Sequence, residues 1–580
     1  MLPQDGSGTL RAPVSSLDIP TDGPSGPPDV PVEADVASPP SIEDGKAASA
    51  SVELISHPLA PGATPKGDRD LSKFARETLI KLLGSVANGV FGLIGVVVIT
   101  RGLHSGKAGA FFEAFGVFTI LTSSAALGAD TGFMRSIPRS RALGRTRDIR
   151  RTLAVGLLPI IPLAIALASL TFVFAPQLGH ALAHHGRHAD ALVPFLRVFA
   201  PFIPIATLMA VSLAATRGFG TMVPSVVVNN VGGPALRPVF VLTAFALGLG
   251  PTGIGFGWIV PFAIGLPLAL VWLMHLLRQA EAVVLGPSTP PRPSRELAGE
   301  FWRFASPRAL AAFFQTLITW LDTLLIGALR STGEAGVYTA STRFVAVGTV
   351  LVQTFIVVIS PQIAGLLARP EDHPRANALY RSTTTWLVMV TWPIYFTLIL
   401  FAPLLLRVFG ADFVAGHTAL MILSFGILYS TSVGPVTAIL LMGGKSSWNM
   451  FNTVVSLSLN LGLNLLLIPR LGINGAAIAW FATIFVNNTL PLIEVRFMLG
   501  LSPFSATHSF VAATAAVVFG GLGLLTRLAL GLTLPAFLGF ALVASAIYAV
   551  IVCRNRDRLN VAALRESLKL RGRAEASGAR

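Results

Sequence analysis

The sequence predicts an all-α, polytopic membrane protein of about 14 transmembrane helices, arranged as two six-helix lobes in parallel repeat plus a terminal helix pair. Three observations carry that prediction. Of 580 residues, 53% are hydrophobic and only 12% charged, a balance foreign to soluble globular chains. Apolar windows long enough to cross a bilayer recur at 84–100, 108–129, 153–175, 191–215, 223–249 and 254–277, then at 303–328, 339–367, 384–406, 416–442, 449–468, 473–498, 507–526 and 533–553. The two series also repeat one another. Leu249, Gly250, Gly253 and Trp258 match Leu471, Gly472, Gly475 and Trp480 at one constant offset, which also lays Asn230 on Asn452. Six windows separate the partners, an even number, so both halves keep the same orientation.

Residues 1–70 hold twelve prolines and eleven acids against Arg11, Lys46, Lys66 and Arg69, within a chain of net charge +15. Such a segment cannot bury enough apolar surface to fold alone, and a disordered acidic cytoplasmic tail is expected. It lacks the short basic-then-apolar pattern of a cleavable signal, so the first membrane helix should remain as an anchor. From Leu71 to Leu83, Leu71, Phe74, Ala75, Leu79 and Leu82 recur at helical spacing with Lys73, Arg76 and Lys81 between them, as in a helix lying at the membrane interface. The N-terminal lobe with this helix is expected over 71–279. A Pro-rich basic cytoplasmic linker follows over 280–302, the C-terminal lobe over 303–498, and a two-helix hairpin over 499–553. The basic tail over 554–580 should rest on anionic membrane lipids.

Charge sets the orientation. With both termini cytoplasmic, most Lys and Arg fall in inside loops, seven of them in one loop: Arg135, Arg139, Arg141, Arg145, Arg147, Arg150 and Arg151. That asymmetry obeys the positive-inside rule.

The window 223–249 carries Arg237 near its middle, between Pro234 and Pro238. A central arginine costs about 2.5–3.5 kcal/mol on insertion scales, so it should face a bundle interior or a watery cavity. The prolines lack N–H donors and free the carbonyls of Asn230 and Pro234, predicting a kink or break there. Arg237 reads either as an anion site or as the partner of an acid on a neighbouring helix, such as Asp322. In 303–328, Arg308, Gln315, Thr319 and Asp322 share one helix face and make a polar stripe. An ionised aspartate there must pair, titrate or face water, and any of these suits coupling or gating. A second stripe, Asn452, Ser456, Asn460 and Asn464, steps by four, as sugar-hydroxyl binding and plain helix packing would both require. Arg197 and Arg343 lie near helix starts, where snorkelling is the plain reading. The candidate substrate-binding residues are Arg237, Arg308, Gln315, Asp322, Arg343, Asn230, Asn452 and Asn460.

Other chemistry finds little support. Cys553 is the single cysteine, which excludes an internal disulfide or a cysteine cluster for metal. His180, His184, His185, His188 and Asp190 share a loop, where solvated surface is the plain reading and a metal site the sharper one. There is no Walker A sequence for direct ATP use. No catalytic residue, cofactor, metal or nucleic-acid partner is expected.

The segments ITRGLHSGKAGAFF, LGADTGFMRSIPR, LDTLLIGALRSTGEAGVYTASTRF and NLGLNLLLIPRLGINGAAIAW resemble the polysaccharide flippase family of the multidrug/oligosaccharidyl-lipid/polysaccharide exporter superfamily, which includes O-antigen flippases. The resemblance covers roughly residues 75–550. It implies a fourteen-helix, V-shaped pair of lobes that moves a polyprenyl-diphosphate-linked oligosaccharide across the cytoplasmic membrane by alternating access, beside polysaccharide biosynthesis proteins as partners. The long acidic N-terminal tail departs from the family's usual short start. A diphosphate calls for buried cations and a glycan accepts bonds from Asn, Gln and Thr, in keeping with the stripes. A lipid II flippase differs in headgroup. A multidrug antiporter of the same superfamily would more naturally show acids than arginines in its cavity, and a membrane glycosyltransferase or ligase would want paired carboxylates or a long external loop presenting acids and bases to a sugar.

Overall fold

The computed structural model describes residues 65–183, 189–282, 292–367, 369–556 and 559. All of these belong to one unit, Pro61–Arg580. Every element among the described residues is a helix, as expected for a chain whose backbone polar groups must be satisfied within each membrane-crossing segment. The described helices begin at Pro65, inside the segment expected to be tail. Residues 1–64, His184, His185 and His188, residues 283–291 of the linker and nearly all of the basic tail lie outside the described residues.

Helix α1 (Pro65–Ala125) joins the expected interfacial helix to the first two windows. It is broken where His104 takes φ 57° and ψ 168°, a left-handed geometry that makes a turn between two spans inside one helical run. A second break at Leu127 and Gly128, both at positive φ, starts α2 (Ala129–Ala142). There follow α3 (Thr146–Leu157), α4 (Ile160–Val173), α5 (Ala175–Leu182), α6 (Ala189–Phe199) and α7 (Phe202–Gly218). The 223–249 window does break as predicted. A π-helical stretch, Val226–Gly232, precedes α8 (Gly233–Ala246), which carries Pro234, Arg237 and Pro238. Widened turns of this kind arise where regular i→i−4 bonding is lost, and here they fall just upstream of a proline that cannot donate. Helix α9 (Gly250–Ala282) completes the first half.

The second half holds α10 (Ser294–Leu329), α11 (Thr332–Leu367), α12 (His373–Leu406), α13 (His417–Val433), α14 (Val436–Met442), α15 (Ser446–Leu471) and α16 (Ile473–Leu499). The terminal pair is α17 (Ala506–Ala515), continued through a π turn into α18 (Leu522–Leu530), and α19 (Leu534–Arg554). It docks on α12 through Phe401, Phe519 and Phe540, with the Arg527 guanidinium donating to the Leu400 carbonyl at 3.1 Å and the Tyr548 hydroxyl to that of Met389 at 3.1 Å.

Helices occupy all fourteen expected windows. Among the described residues ten single helices are long and apolar enough to cross a membrane, or eleven if the pair Asp190–Phe199 and Phe202–Gly218, bent by 49°, is one span. The difference of three has identifiable places: Leu83–Ala142 counts once although it contains two windows, the π stretch leaves α8 too short to qualify alone, and α11, which holds the 339–367 window, is not among the qualifying helices.

The internal repeat has a backbone counterpart. Gly250 (φ 63°) and Gly472 (φ 57°) both take the left-handed conformation at the turn into the helix that carries Trp258 or Trp480. Only glycine adopts that geometry without a Cβ penalty.

The two halves meet along the second part of α1, which packs on α10 and α11. At one end of this contact the backbones nearly touch. A Cβ on Gly109 would coincide with the Thr332 carbonyl oxygen, and one on Gly336 would lie 2.7 Å from that of Ser105. Nearby, the Arg101 guanidinium donates to the carbonyls of Val408 (2.7 Å) and Arg407 (2.8 Å). The other end carries a charged network. Arg139 pairs with Glu300, and Arg292 pairs with Asp148 (3.0 Å) and Glu300 (2.9 Å). Hydrogen bonding to Asp148, supported by Glu300, raises Arg292 above the ordinary arginine range, so its charge is permanent.

Because the obstacle at Gly109 is backbone, which yields less readily than a side chain, Gly109→Ala should destabilise this contact by about 1–3 kcal/mol. A lowered unfolding midpoint of the purified protein in detergent would show it; an unchanged midpoint would mean the helices separate at no cost.

Candidate functional site

Arg237 lies on α8, half-buried. Its guanidinium carbon sits 5.1 Å from the ring centroid of Trp258 and 5.0 Å from that of Phe262, one turn apart on α9, and 5.8 Å from that of Phe115 on α1. The Nε has no hydrogen-bond partner, and among the described residues no carboxylate lies within ion-pair distance. Three aromatic faces therefore hold a cation whose donors remain unsatisfied. Cation–π contacts contribute about 0.5–2 kcal/mol each, less than the cost of burying an unpaired charge.

Phe115 leads onward to the second half. Its ring meets Trp320 of α10 edge to face, centroids 5.8 Å apart, and Gly116 leaves room for the indole. Trp320 in turn lies 5.9 Å beneath the guanidinium of Arg343 on α11. Arg343 is also half-buried, and its Nε too lacks a partner. The structure thus brings together one unpaired arginine from each half across a Phe115–Trp320 bridge. Such a guanidinium presents planar, paired donors, the geometry that recognises phosphate oxygens.

The polar stripe of α10 divides. Arg308, Gln315 and Thr319 are exposed, with Arg308 reaching the Phe304 ring at 6.0 Å, whereas Asp322 is only 8% exposed. Asp322 does not pair with Arg237. Its carboxylate accepts from the Tyr338 hydroxyl (2.9 Å) and from Asn464 Nδ2 (2.8 Å), and Asn464 also donates to Asn460 Oδ1 (3.1 Å). This cluster stitches α10, α11 and α15 together. The asparagine stripe is likewise engaged within the protein: Asn452 donates to Glu494 (2.7 Å) and Ser456 to Asn487 (3.3 Å), both on α16. Asn230 sits in the π stretch against Gly84 of α1, about two turns from Arg237.

Several residues at the site escaped the sequence reading. Phe115, Phe262 and Trp320 look like ordinary apolar positions until the helices are placed. Tyr338 becomes a polar anchor only once Asp322 is seen beside it, and Asn464, already read as part of a stripe, is the second donor to that carboxylate. Glu113 was legible as the one acid in the 108–129 window. It is fully buried on α1, both carboxyl oxygens lacking partners.

Residues 110–414, more than half the chain, match the family described as polysaccharide biosynthesis protein. The chain belongs to that family. A probable low-salt glycan biosynthesis flippase of Haloferax volcanii is 25% identical over 239 residues, covering 40% of this chain and 49% of that protein. The match thus spans about half the length of that relative. Among solved structures, a lipid II flippase in an inward closed conformation superposes with a TM-score of 0.62 at 14% identity, over 83% of this chain and 99% of its own. An inward-facing multidrug resistance transporter of the MATE family and MOP superfamily gives 0.58 at 16% identity, over 73% and 98%. These two likenesses speak for a shared fold: this member of the polysaccharide biosynthesis family has the helix arrangement of those two structures.

Because Arg237 and Asp322 have separate surroundings, Arg237→Ala and Asp322→Ala should be additive in stability to within about 0.5 kcal/mol. Thermal unfolding of the two single variants and the double variant tests this. Recovery of stability in the double variant would mean the two charges are partners after all.

Proposed function

We propose that this chain is a flippase that carries a polyprenyl-diphosphate-linked oligosaccharide across the cytoplasmic membrane by alternating access, and that it is a transporter, not an enzyme. The observation that carries this reading is the pair of acid-free guanidinium groups, Arg237 and Arg343, one from each half, joined by Phe115 and Trp320. A diphosphate bound between them would satisfy both cations at once and draw the halves together. A substrate that does this couples its own binding to their relative position. The exposed face of α10, with Arg308, Gln315 and Thr319, supplies polar groups along an otherwise apolar helix and suits a water-filled cavity that accepts a glycan. In this proposal Asp322 fixes helices, and Asn452 and Asn460 serve packing. Asn230 lines the approach to Arg237.

The charge pattern supports an orientation with both termini and the Arg135–Arg151 loop in the cytoplasm. The end at Arg101, Gly109 and Thr332 is then the outer one. The Haloferax volcanii relative, a probable glycan biosynthesis flippase, supports the same substrate class.

Arg237→Ala and Arg343→Ala should each weaken binding of a polyprenyl diphosphate by about 10- to 100-fold, the loss of a charge-assisted contact, at normal membrane levels. Lysine should restore part of the binding, since it keeps the charge and loses the planar fork. Cells bearing the alanine variants should accumulate the lipid-linked oligosaccharide on the inner leaflet while its synthesis continues. If lipid-linked sugar never forms without this protein, the chain acts in synthesis and the flippase reading is wrong.

A further inference from the structure

Glu113 is the buried ionisable group that the proposed substrate site leaves unused. Its residue is 0% exposed, and neither carboxyl oxygen has a hydrogen-bond partner. It points across the contact between the halves: a Cβ placed on Gly327 of α10 would stand 2.5 Å from its Cδ and 2.6 Å from each of its oxygens. None of the titratable groups of the helices packed there bonds to it: Asp322 and Tyr338 bond to one another, Arg330 pairs with Glu334, Arg101 donates to backbone carbonyls, and Arg343 and Arg237 lie over Trp320 and Phe115. On Glu113's own helix, His104 and Lys107 are exposed at the helix end. No cation and no donor therefore compensates a carboxylate at this position, and sealing one there unpaired would oppose the contact, whereas the neutral acid is tolerated far better.

We propose that Glu113 is a proton-binding site whose occupancy is linked to closure at the outer end. When the halves meet, the carboxylate takes one proton from outer water and becomes a neutral acid against Gly327. When they part, water reaches the group, the O–H bond breaks, and the proton returns to solvent with the carboxylate left hydrated. Lower pH then favours the closed outer end. The neighbouring close approaches at Gly109 and Gly336 make this a contact that admits no water while it is shut. The proposal takes from the flippase reading only that the halves separate at this end; it requires no glycan.

Spin labels on Lys107→Cys and Ala411→Cys, both exposed and one on each half, report the separation of this end in a Cys553→Ser background. With Glu113 present, the short-distance population should grow relative to the long one as pH falls from about 8 to 5, by at most about tenfold per pH unit, the ceiling for one linked proton. Glu113→Gln and Glu113→Leu should hold the short distance at every pH. Two substitutions guard against misfolding of either, and both are compared at equal monodispersity. A pH response of the same size in the substituted proteins, or none in the parent, overturns the proposal. Polyprenyl diphosphate binding, measured separately, distinguishes failure of this site from failure of the flippase reading.

Discussion

A charge inside an apolar bundle needs a partner, and the arrangement of this protein follows from where that need is met and where it is not. Where α2 and α3 meet the start of α10 it is met in full: Arg292, Asp148, Glu300 and Arg139 neutralise one another. In the second half it is met by neutral donors, because Tyr338 and Asn464 surround the Asp322 carboxylate and tie three helices to one point. Arg237 and Arg343 are held only by aromatic faces. An arginine on rings is stabilised while its N–H donors stay available.

The second constraint is steric. The halves approach so closely at Gly109 and Gly336 that side chains are excluded and backbone meets backbone. This fixes the distance between α1 and the α10–α11 pair, and within about two turns of Gly109 it allows Phe115 to reach Trp320. The aromatic bridge and its two arginines thus depend on Gly109, on the same helix as Phe115, and on Gly336, on the same helix as Arg343. Any motion that opens the Gly109 end must also alter the geometry of the bridge, because both lie on one stiff helix segment. The packing at the Gly109 end and the spacing of the two arginines are in this way mechanically joined.

Much of the helical arrangement was legible in the chain. Apolar windows marked fourteen positions where helices stand, and the Leu249 and Leu471 repeat pointed to two turns that share a left-handed glycine. The Pro234–Arg237–Pro238 cluster foretold a break and an unusual cation, and both are present. The asparagine stripe left two readings open, and its engagement by Glu494, Asn487 and Asp322 speaks for packing. The stripe on α10 was drawn as one face, yet burial separates Asp322 from Arg308, Gln315 and Thr319, because the helix runs from an exposed surface into a packed one.

What the sequence determined by itself is the set of elements and their cost: which segments are apolar enough to be helices in a membrane, and which charges within them demand explanation. Those are local properties, set by hydropathy, periodicity and the missing N–H of proline. Only the tertiary structure decided which charges have partners. Pairing is a matter of a few ångströms between residues on different helices: Asp322 finds Asn464, Arg237 finds Trp258 instead of an acid, and Glu113 finds Gly327 and no partner. No periodicity encodes these distances, since they arise from how closely the helices pack.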